Sequence, residues 1–293
     1  MNKIKIKAPA KINLTLDVIG KRKDGYHNIE TIFQEISLFD KMLIKKIPKG
    51  IKLHVKPGNL KISVKKNLCY KAAEIFLEEN NIKEGVEIFL KKNIPIGAGL
   101  GGGSSDAAGV LKGLNLLFKS RLSNNKLEKL ARKLGMDVPF FIKGGCAYAT
   151  GRGEELQNIK TSKSFWLILM KPKFSVSTKE AYELIDKNLI LTKKCSYAKI
   201  MLQAIRNKKE TKIPDILYNI FEKVVSIKYP GFPDGVKQEL IDAGAKGSLM
   251  SGSGSAVFGI FRERRAAYRA FKKMSRTREE KVYLAKTLQQ GWR

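Results

Sequence analysis

The 293-residue sequence has few of the residues that build disulfide frameworks, metal centres or membrane spans. Its three cysteines, Cys69, Cys146 and Cys195, are far apart, which excludes a disulfide scaffold and fits no zinc-binding spacing. We therefore expect a reducing, cytoplasmic location. The longest apolar run, residues 165–170, is much shorter than the roughly 20 residues that cross a bilayer. The first residues alternate lysine with isoleucine, so no secretory signal is expected.

Acidic residues are the second scarcity, since 27 Asp and Glu stand against 57 Lys and Arg, a net charge of +30. Such a surplus attracts nucleic acid, anionic lipid or phosphorylated small molecules. The basic residues are spread along the chain, and only the stretch after Phe261 is locally dense. Before that stretch, the sequence does not interleave aromatic residues in one basic patch, the pattern typical of nucleic-acid binding. We therefore expect neither a nucleic-acid nor a membrane partner, and the sequence does not predict the oligomeric state.

The periodicity of the apolar residues predicts a mixed α+β protein. Apolar and polar residues alternate over residues 12–18, as in a half-buried strand. Helices are predicted in six places: residues 68–80, after residue 105, 123–135, from Thr178, 213–225 and 235–243. The pattern of apolar residues changes near residue 160, just before a predicted buried strand at residues 165–170. We therefore predict two lobes, residues 1–160 and 161–293, the second ending in a basic C-terminal extension.

A glycine-rich stretch between a predicted strand and a predicted helix is the strongest chemical signal. It comprises Pro95, Ile96, Gly97, Ala98, Gly99, Leu100, Gly101, Gly102, Gly103, Ser104 and Ser105. Glycine lets the backbone approach a ligand closely and adopt positive φ. Free N–H groups, together with a helix N-terminus at Ser104 or Ser105, attract an anion. The stretch predicts a phosphate site, although glycine clusters also form plain turns.

Three nucleotide-binding folds with related motifs fit this stretch poorly. Gly97, Gly99 and Gly102 satisfy G-x-G-x-x-G, yet residues 119–126 contain no acid, and a dinucleotide fold needs one about 20 positions on. A P-loop would place Lys-Ser or Lys-Thr after the glycines, and none is there. The HRD and DFG motifs of protein kinases are also absent.

The stretch PIGAGLGGGSSDAA resembles the nucleotide loop of the GHMP small-molecule kinases, which include galactokinase, homoserine kinase and mevalonate kinase. Three further segments resemble the branch of that family that acts on a cytidine diphosphate polyol: residues 8–34, 135–145 and 247–261. The resemblance runs from residue 4 to 261 and leaves the basic end uncovered. It implies a two-lobed α+β GHMP kinase fold, with an N-terminal lobe like domain 2 of ribosomal protein S5, a C-terminal ferredoxin-like lobe, and the active site between them.

The resemblance also implies a reaction. ATP would phosphorylate the 2-hydroxyl of 4-diphosphocytidyl-2-C-methyl-D-erythritol, a step of the non-mevalonate route to isoprenoid precursors. Mg²⁺ is expected with ATP, but its ligands are unknown: Asp106 either touches the metal ion or only favours the N-terminus of its helix. Another GHMP small-molecule kinase is one alternative, and a basic nucleic-acid-binding protein is a second.

The roles of single residues follow from the same resemblance. Asp137 matches the catalytic base, although its spacing alone favours an ordinary turn residue. Lys11 matches the lysine paired with that base, which would keep the carboxylate ionised. Tyr26 and His27 match a pair that touches the cytosine base, and Tyr182 matches a second ring, so that the base would lie between two rings.

Two further groups are implied to bind the substrate. Asn13 would contact the polyol. Gly252 and Gly254, in a second glycine-rich turn, would offer N–H groups to the diphosphate of the cytidine substrate or form a wall beside the ATP phosphates.

Overall fold

The computed structural model describes residues 2–58, 63–188, 191 and 196–291, so Cys195 lies outside the described residues. The chain forms eleven strands and nine α-helices in this described part. The strands are β1 Lys3–Lys21, β2 His27–Ile47, β3 Ile51–Lys56, β4 Gly85–Lys91, β5 Cys146–Thr150, β6 Glu155–Ile159, β7 Trp166–Lys171, β8 Tyr218–Asn219, β9 Gly247–Met250, β10 Val257–Phe261 and β11 Lys281–Lys286. The helices are α1 Leu68–Glu79, α2 Gly102–Leu117, α3 Asn124–Arg132, α4 Phe140–Lys143, α5 Thr178–Asn188, α6 Tyr197–Arg206, α7 Phe221–Lys228, α8 Asp234–Asp242 and α9 Arg264–Thr277.

The first sheet has the strand order β3-β4-β2-β1-β8, with β5 paired to β2 and β6 paired to β5. The alternation of apolar and polar residues is visible in β1, where Ile4, Ile6 and Ala8 face α2 while the intervening lysines point outward. Helices α1 and α2 cover the inner side of this sheet and bury Phe76, Leu111 and their neighbours. The burial of these apolar side chains fixes the register of the long β1–β2 pair.

The second sheet has the order β11-β7-β10-β9 and is antiparallel throughout. Helices α8 and α9 pack on it. The predicted buried strand at residues 165–170 is confirmed as β7, in the interior of this sheet. The predicted α+β class is therefore confirmed by two sheets, each with helices packed against it.

The two sheets divide near the predicted boundary at residue 160, but several segments of the second half of the chain also contact the first sheet. Strand β8 pairs with β1 in parallel at Thr15 and Leu16. Beyond β11, the Leu288 N–H donates to the Glu35 carbonyl at 2.9 Å. The division into residues 1–160 and 161–293 stays a prediction.

The prediction of a single helix over residues 213–225 is wrong. A 3₁₀ turn, Glu210–Asp215, is followed by the short strand β8 and only then by α7. Pro214 lacks a backbone N–H, and the Asn219 side chain accepts the Phe221 N–H at 3.0 Å. The helical structure therefore ends after the 3₁₀ turn and begins again only at α7.

The basic end is part of the fold rather than an appended extension. Helix α9 buries Ala267, Ala270 and Met274 along one face, and β11 pairs with β7 along its whole length. Its basic residues lie on the exposed face of the helix. Within the described residues, no helix is both long and apolar enough to cross a membrane.

Candidate active site

A cleft of about 880 Å³ lies where β1, the glycine-rich stretch, α5 and the turn after β9 meet. Residues 95–103 of the predicted phosphate site line it, as do Lys11, Asn13 and Asp137. Tyr26, His27, Tyr182 and Gly252 also line the cleft. The structure therefore brings nearly all the predicted site residues to one cavity.

The glycine-rich stretch adopts backbone angles that side chains disfavour. Gly97, Gly99 and Gly101 have φ of 62°, 72° and 67°. Helix α2 begins at Gly102, earlier than the predicted Ser104 or Ser105, because Gly101 caps it in the left-handed conformation. The first helical bond runs from the Ser105 N–H to the Gly101 carbonyl at 2.9 Å. The backbone N–H groups that precede Ser105 in the first turn of the helix are therefore free to bind an anion.

The second glycine-rich turn packs behind the first. The Ser251 hydroxyl donates to the Gly99 carbonyl at 3.0 Å, and a Cβ on Gly99 would lie 2.0 Å from the Ser251 carbonyl oxygen. Gly252 faces the cleft near Asn13. Gly254 does not line the cleft, and its N–H already donates to the Ser251 carbonyl at 3.0 Å, contrary to its predicted role as a donor to substrate.

Lys11 and Asp137 form an ion pair in the cleft, with 3.7 Å between Lys11 Nζ and Asp137 Oδ2. Lys11 Nζ also donates to Asn13 Oδ1 at 2.7 Å, and the Asn13 amide donates to the Thr31 hydroxyl at 2.8 Å. The Lys11 side chain is 6% exposed, whereas that of Asp137 is 35% exposed. The lysine is therefore fixed from behind, while the carboxylate stays open to a ligand.

Burial lowers the pKa of the Lys11 ammonium from its ordinary value, and the Asp137 carboxylate opposes that shift. The backbone of Lys11 is held as well, because its N–H donates to the Leu100 carbonyl at 3.0 Å. This bond ties the lysine to the glycine-rich stretch, so the position of the ion pair is coupled to the position of a bound phosphate.

The aromatic side chains lie on another part of the cleft wall. His27 stacks on Tyr182 with ring centroids 4.7 Å apart and 17° between planes, and Phe221 meets Tyr182 edge-on at 4.9 Å. Tyr26 is 53% exposed, and the Arg152 guanidinium lies 5.0 Å over its ring. His27 and Phe221 thus pack against the Tyr182 ring, and Tyr26 is the more exposed aromatic side chain of this wall.

Comparisons with known proteins identify the family. The model of the GHMP kinases N terminal domain matches residues 67–145, and the model of GHMP kinases C terminal matches residues 201–280. The 4-diphosphocytidyl-2-C-methyl-D-erythritol kinase of Clostridium tetani is 41% identical over 97% of this chain and 100% of its own length. That of Clostridioides difficile is 42% identical over 99% of this chain and 97% of its own. The chain belongs to the 4-diphosphocytidyl-2-C-methyl-D-erythritol kinases.

Solved structures agree with this membership. A crystal structure of 4-(cytidine 5'-diphospho)-2C-methyl-D-erythritol kinase is 32% identical, with a TM-score of 0.82, and the match covers 97% of this chain and 99% of that one. A homoserine kinase from Cytophaga hutchinsonii has a TM-score of 0.76 at 21% identity, over 99% of this chain and 96% of that one, and shares the fold. The GHMP kinase fold and the use of ATP are thereby confirmed. The family match also continues beyond residue 261, where the resemblance was expected to end.

In this member of the 4-diphosphocytidyl-2-C-methyl-D-erythritol kinases, sequence reasoning missed Asp186. Its Oδ1 lies 2.7 Å from His27 Nε2, and its Oδ2 accepts from Lys21 Nζ at 2.7 Å. The Lys21 hydrogen bond is the main cause that lowers the pKa of Asp186. Asp186 lies four residues after Tyr182 on α5, a spacing that puts both on one helix face and was the available signal.

Sequence reasoning also missed the support beneath the glycine-rich stretch. Lys92 lies between two buried carboxylates, pairing with Asp40 and donating to Asp106 Oδ2 at 2.6 Å. Asp40 Oδ1 also accepts the N–H groups of Asn93 and Ile94 at 2.5 and 2.8 Å. Burial raises the pKa of Asp106 well above its ordinary value against the opposing charge of Lys92. This cluster holds the entry to the stretch, and nothing in the linear sequence marks it.

Proposed function

We propose that this chain transfers the γ-phosphoryl group of ATP to the 2-hydroxyl of 4-diphosphocytidyl-2-C-methyl-D-erythritol. The observation that carries the proposal is the Lys11–Asp137 pair in the same cleft as a stretch of free backbone N–H groups and a set of aromatic rings. The names of the relatives, at 41% and 42% identity over nearly the full chain, support the same substrate.

The phosphates of ATP would bind at residues 95–103, where the N–H groups before the Ser105 bond point towards the N-terminal end of α2. The nucleoside would extend to the part of the cleft lined by Lys66, Asn67 and Leu68, which the sequence did not suggest. Ser104 and Ser105 do not line the cleft, and they would support the loop from within the helix.

The cytosine base would bind at the aromatic wall. The base would lie between the exposed ring of Tyr26 and the stacked rings of His27 and Tyr182, which all line the cleft. Base–aromatic stacking of this kind contributes about 1–3 kcal/mol per base. Asn13 and Gly252, which lie together next to Lys11, would contact the polyol and the diphosphate.

In the reaction, the oxygen of the 2-hydroxyl bonds to the γ-phosphorus, and the bond from that phosphorus to the β–γ bridging oxygen breaks. Asp137 takes the hydroxyl proton, and ADP leaves with the electron pair of the broken bond. Lys11 holds the carboxylate in place and offsets the negative charge that gathers between the attacking oxygen and the phosphates. The pair therefore positions the alcohol before it removes the proton.

Mg²⁺ fits this site through Asp106. Its Oδ1 is buried with no hydrogen-bond partner among the described residues, and Asp106 lines the cleft beside the phosphate loop. Mg²⁺ is usually bound by one or two carboxylates together with substrate phosphates, so no larger ligand cluster is needed. Bound there, the ion would neutralise phosphate charge. A cytoplasmic location stays a prediction, and the free, buried Cys69 and Cys146 support it.

A coupled assay of ADP release tests the proposal directly. The wild-type chain is expected to turn over ATP with the cytidine diphosphate polyol and not with mevalonate or homoserine, which carry no base. Replacing Tyr26 with alanine should raise KM for the polyol roughly 5- to 100-fold, since one stacking partner is lost. KM for ATP should change less than about twofold, because Tyr26 lies on the aromatic wall rather than at residues 95–103.

Tyr268→Ala is the matched control. Tyr268 is 46% exposed and carries Lys272 at 5.3 Å over its ring, much as Tyr26 carries Arg152, but it lies on α9 away from the cleft. Its variant should behave as the wild type. Equal effects of Tyr26→Ala on both substrates would remove Tyr26 from the cytosine site, and turnover of mevalonate would contradict the proposed substrate.

The lowered pKa of Lys11 predicts the alkaline side of the pH–rate profile. Only the ammonium form offsets phosphate charge, so kcat has its maximum value below the pKa of Lys11 and falls as the pH rises through that pKa. Because burial lowers that pKa from 10.5, the fall should begin at a lower pH than for a free lysine. In Lys11→Arg, the guanidinium stays charged, and the fall should move beyond pH 10.5 even if kcat is smaller. An unchanged alkaline fall would assign the titration to another group.

A further inference from the structure

The outward side of the first sheet carries an ordered array of lysines. Lys3, Lys5 and Lys7 are exposed on β1, while the alternate residues Ile4 and Ile6 pack inward. We call the outward side of residues 3–7, 39–45, 52–56 and 87–91 the lysine face. It lies on the side of the sheet opposite to α2, so it is separate from the cleft.

Strand register arranges the lysine face in rows that run across four strands. Lys7 lies opposite Lys41, Lys41 opposite Lys91, and Lys91 opposite Lys56. All four side chains are exposed, and adjacent strands are about 4.8 Å apart. A second row, two residues away along each strand, contains Lys5, Leu43, Phe89 and His54. A third contains Lys3, Lys45, Glu87 and Lys52.

The four-lysine row has no acidic neighbour to balance it. Like charges directly opposite each other on neighbouring strands destabilise a sheet. No salt bridge within the described part of the chain includes Lys7, Lys41, Lys56 or Lys91. Glu87 is the single acid among the residues of the face, and it pairs with His54 at 3.1 Å. A linear polyanion would remove this repulsion.

The middle row supplies aromatic rings between the two lysine-bearing rows. His54 stacks on Phe89 with centroids 4.7 Å apart and 15° between planes, and its side chain is 52% exposed. Lys45 Nζ lies 4.8 Å over the Phe89 ring, and Lys7 Nζ lies 5.8 Å from the centre of Phe39. Phe89 and Phe39 are half-buried, so His54 is the exposed ring of this row. An exposed ring bordered by cations is a surface on which unpaired bases stack while phosphates are neutralised.

We propose that the lysine face binds single-stranded nucleic acid. Its bases would stack on the ring of His54, and its phosphates would lie along the row of Lys7, Lys41, Lys91 and Lys56. A duplex hides its base faces and gains nothing from the rings. A second copy of this chain would bring two lysine rows together, and the charge repulsion opposes that contact. The proposal does not rest on the kinase reaction.

Fluorescence anisotropy of the full chain with a labelled 15-nucleotide uridine strand measures this binding. We expect dissociation constants in the range of about 10⁻⁶–10⁻⁴ M, with log K falling against log salt with a slope of about −3, which corresponds to roughly four neutralised phosphates. The duplex of the same length and vesicles containing phosphatidylglycerol serve as the other arms. Equal or tighter binding to either, or no binding to the single strand at 50 mM salt, would overturn the proposal.

Two triple variants with the same change of net charge separate the lysine face from general basicity. Combining Lys7→Glu, Lys41→Glu and Lys91→Glu should weaken strand binding at least tenfold. The control, with Arg265→Glu, Arg269→Glu and Lys273→Glu on the exposed face of α9, should weaken it less than threefold. Both should keep wild-type kinase activity, which shows that they fold. Equal losses in the two variants would mean that binding follows net charge alone, and the proposal would fail.

Heparin, a polyanion without bases, isolates the stacking contribution. His54→Ala should weaken uridine-strand binding at least about fivefold and leave heparin binding unchanged, whereas His54→Phe should restore the strand affinity. If His54→Ala weakens both polyanions equally, or neither, then the ring does not stack on bases, and the assignment to nucleic acid is wrong.

Discussion

Replacing Asp137 with asparagine is expected to lower kcat by about 10²- to 10⁴-fold, the contribution that a positioned general base makes. The amide has nearly the same shape as the carboxylate but cannot accept the proton of the attacking hydroxyl. It also removes the ion pair that Asp137 makes with Lys11 at 3.7 Å. The buried Lys11 loses its ion-pair partner but keeps its hydrogen bond to Asn13 Oδ1 at 2.7 Å, and the 35% exposed asparagine fits the same space, so the chain should still fold.

Single-turnover kinetics with saturating ATP measure this effect on the chemical step, and titration with an ATP analogue shows whether nucleotide binding is kept. The nucleotide affinity should change less than about threefold. Asp234→Asn, at an exposed acid in the first turn of α8, is the control and should turn over at the wild-type rate. Wild-type kcat in Asp137→Asn would exclude the carboxylate from proton transfer.

Replacing Gly101 with valine is expected to weaken ATP binding at least about 100-fold. Gly101 has a φ of 67°, and a Cβ there would lie 2.9 Å from Phe141 Cζ and 3.0 Å from Lys11 Cγ. The β-branched side chain disfavours that backbone angle and displaces Lys11 from its place beside Asp137. A misplacement of about 1 Å in a catalytic site costs on the order of 10² in rate, so the residual kcat should fall as well.

Calorimetric titration with a non-hydrolysable ATP analogue measures the loss, and Gly231→Val separates it from backbone strain. Gly231 has a φ of 80°, but a Cβ there meets no atom within 4 Å. Both variants should lose thermal stability, since a side chain in this region costs roughly 1–2 kcal/mol. Only Gly101→Val should also lose its affinity for the ATP analogue. If Gly231→Val weakens ATP binding equally, the effect is one of global stability.

The strands and most helices follow from local patterns in the chain. Alternation over residues 12–18 and the buried run at 165–170 predict strands, and both segments lie in strands. Residues 12–18 are buried on both faces rather than one, because α6 covers the polar face and its Ala198 N–H donates to Asp17. The prediction for residues 213–225 is wrong because short apolar segments separated by Pro214 and Asn219 have the same composition as one helix. Their separation depends on β8 pairing with β1, a contact between distant parts of the chain.

The site is predicted where its chemistry is local and missed where it is not. Consecutive glycines mark a phosphate site because their conformational freedom is a property of single residues. The family resemblance adds Lys11 and Asp137, which the fold brings to 3.7 Å. Asp186 pairs with His27 and Asp40 with Lys92, 159 and 52 positions away, and no local pattern records such a pairing.

The sequence by itself determined the glycine loop, the family and the net charge of +30, since each of these is fixed by which residues are present and in what order. It indicated no interleaving of aromatic and basic residues. Only the tertiary structure placed Phe89 and His54 between rows of lysines drawn from four strands. The reason is that hydrogen-bonded register makes neighbours of residues such as Lys41 and Lys91, which are far apart in the chain.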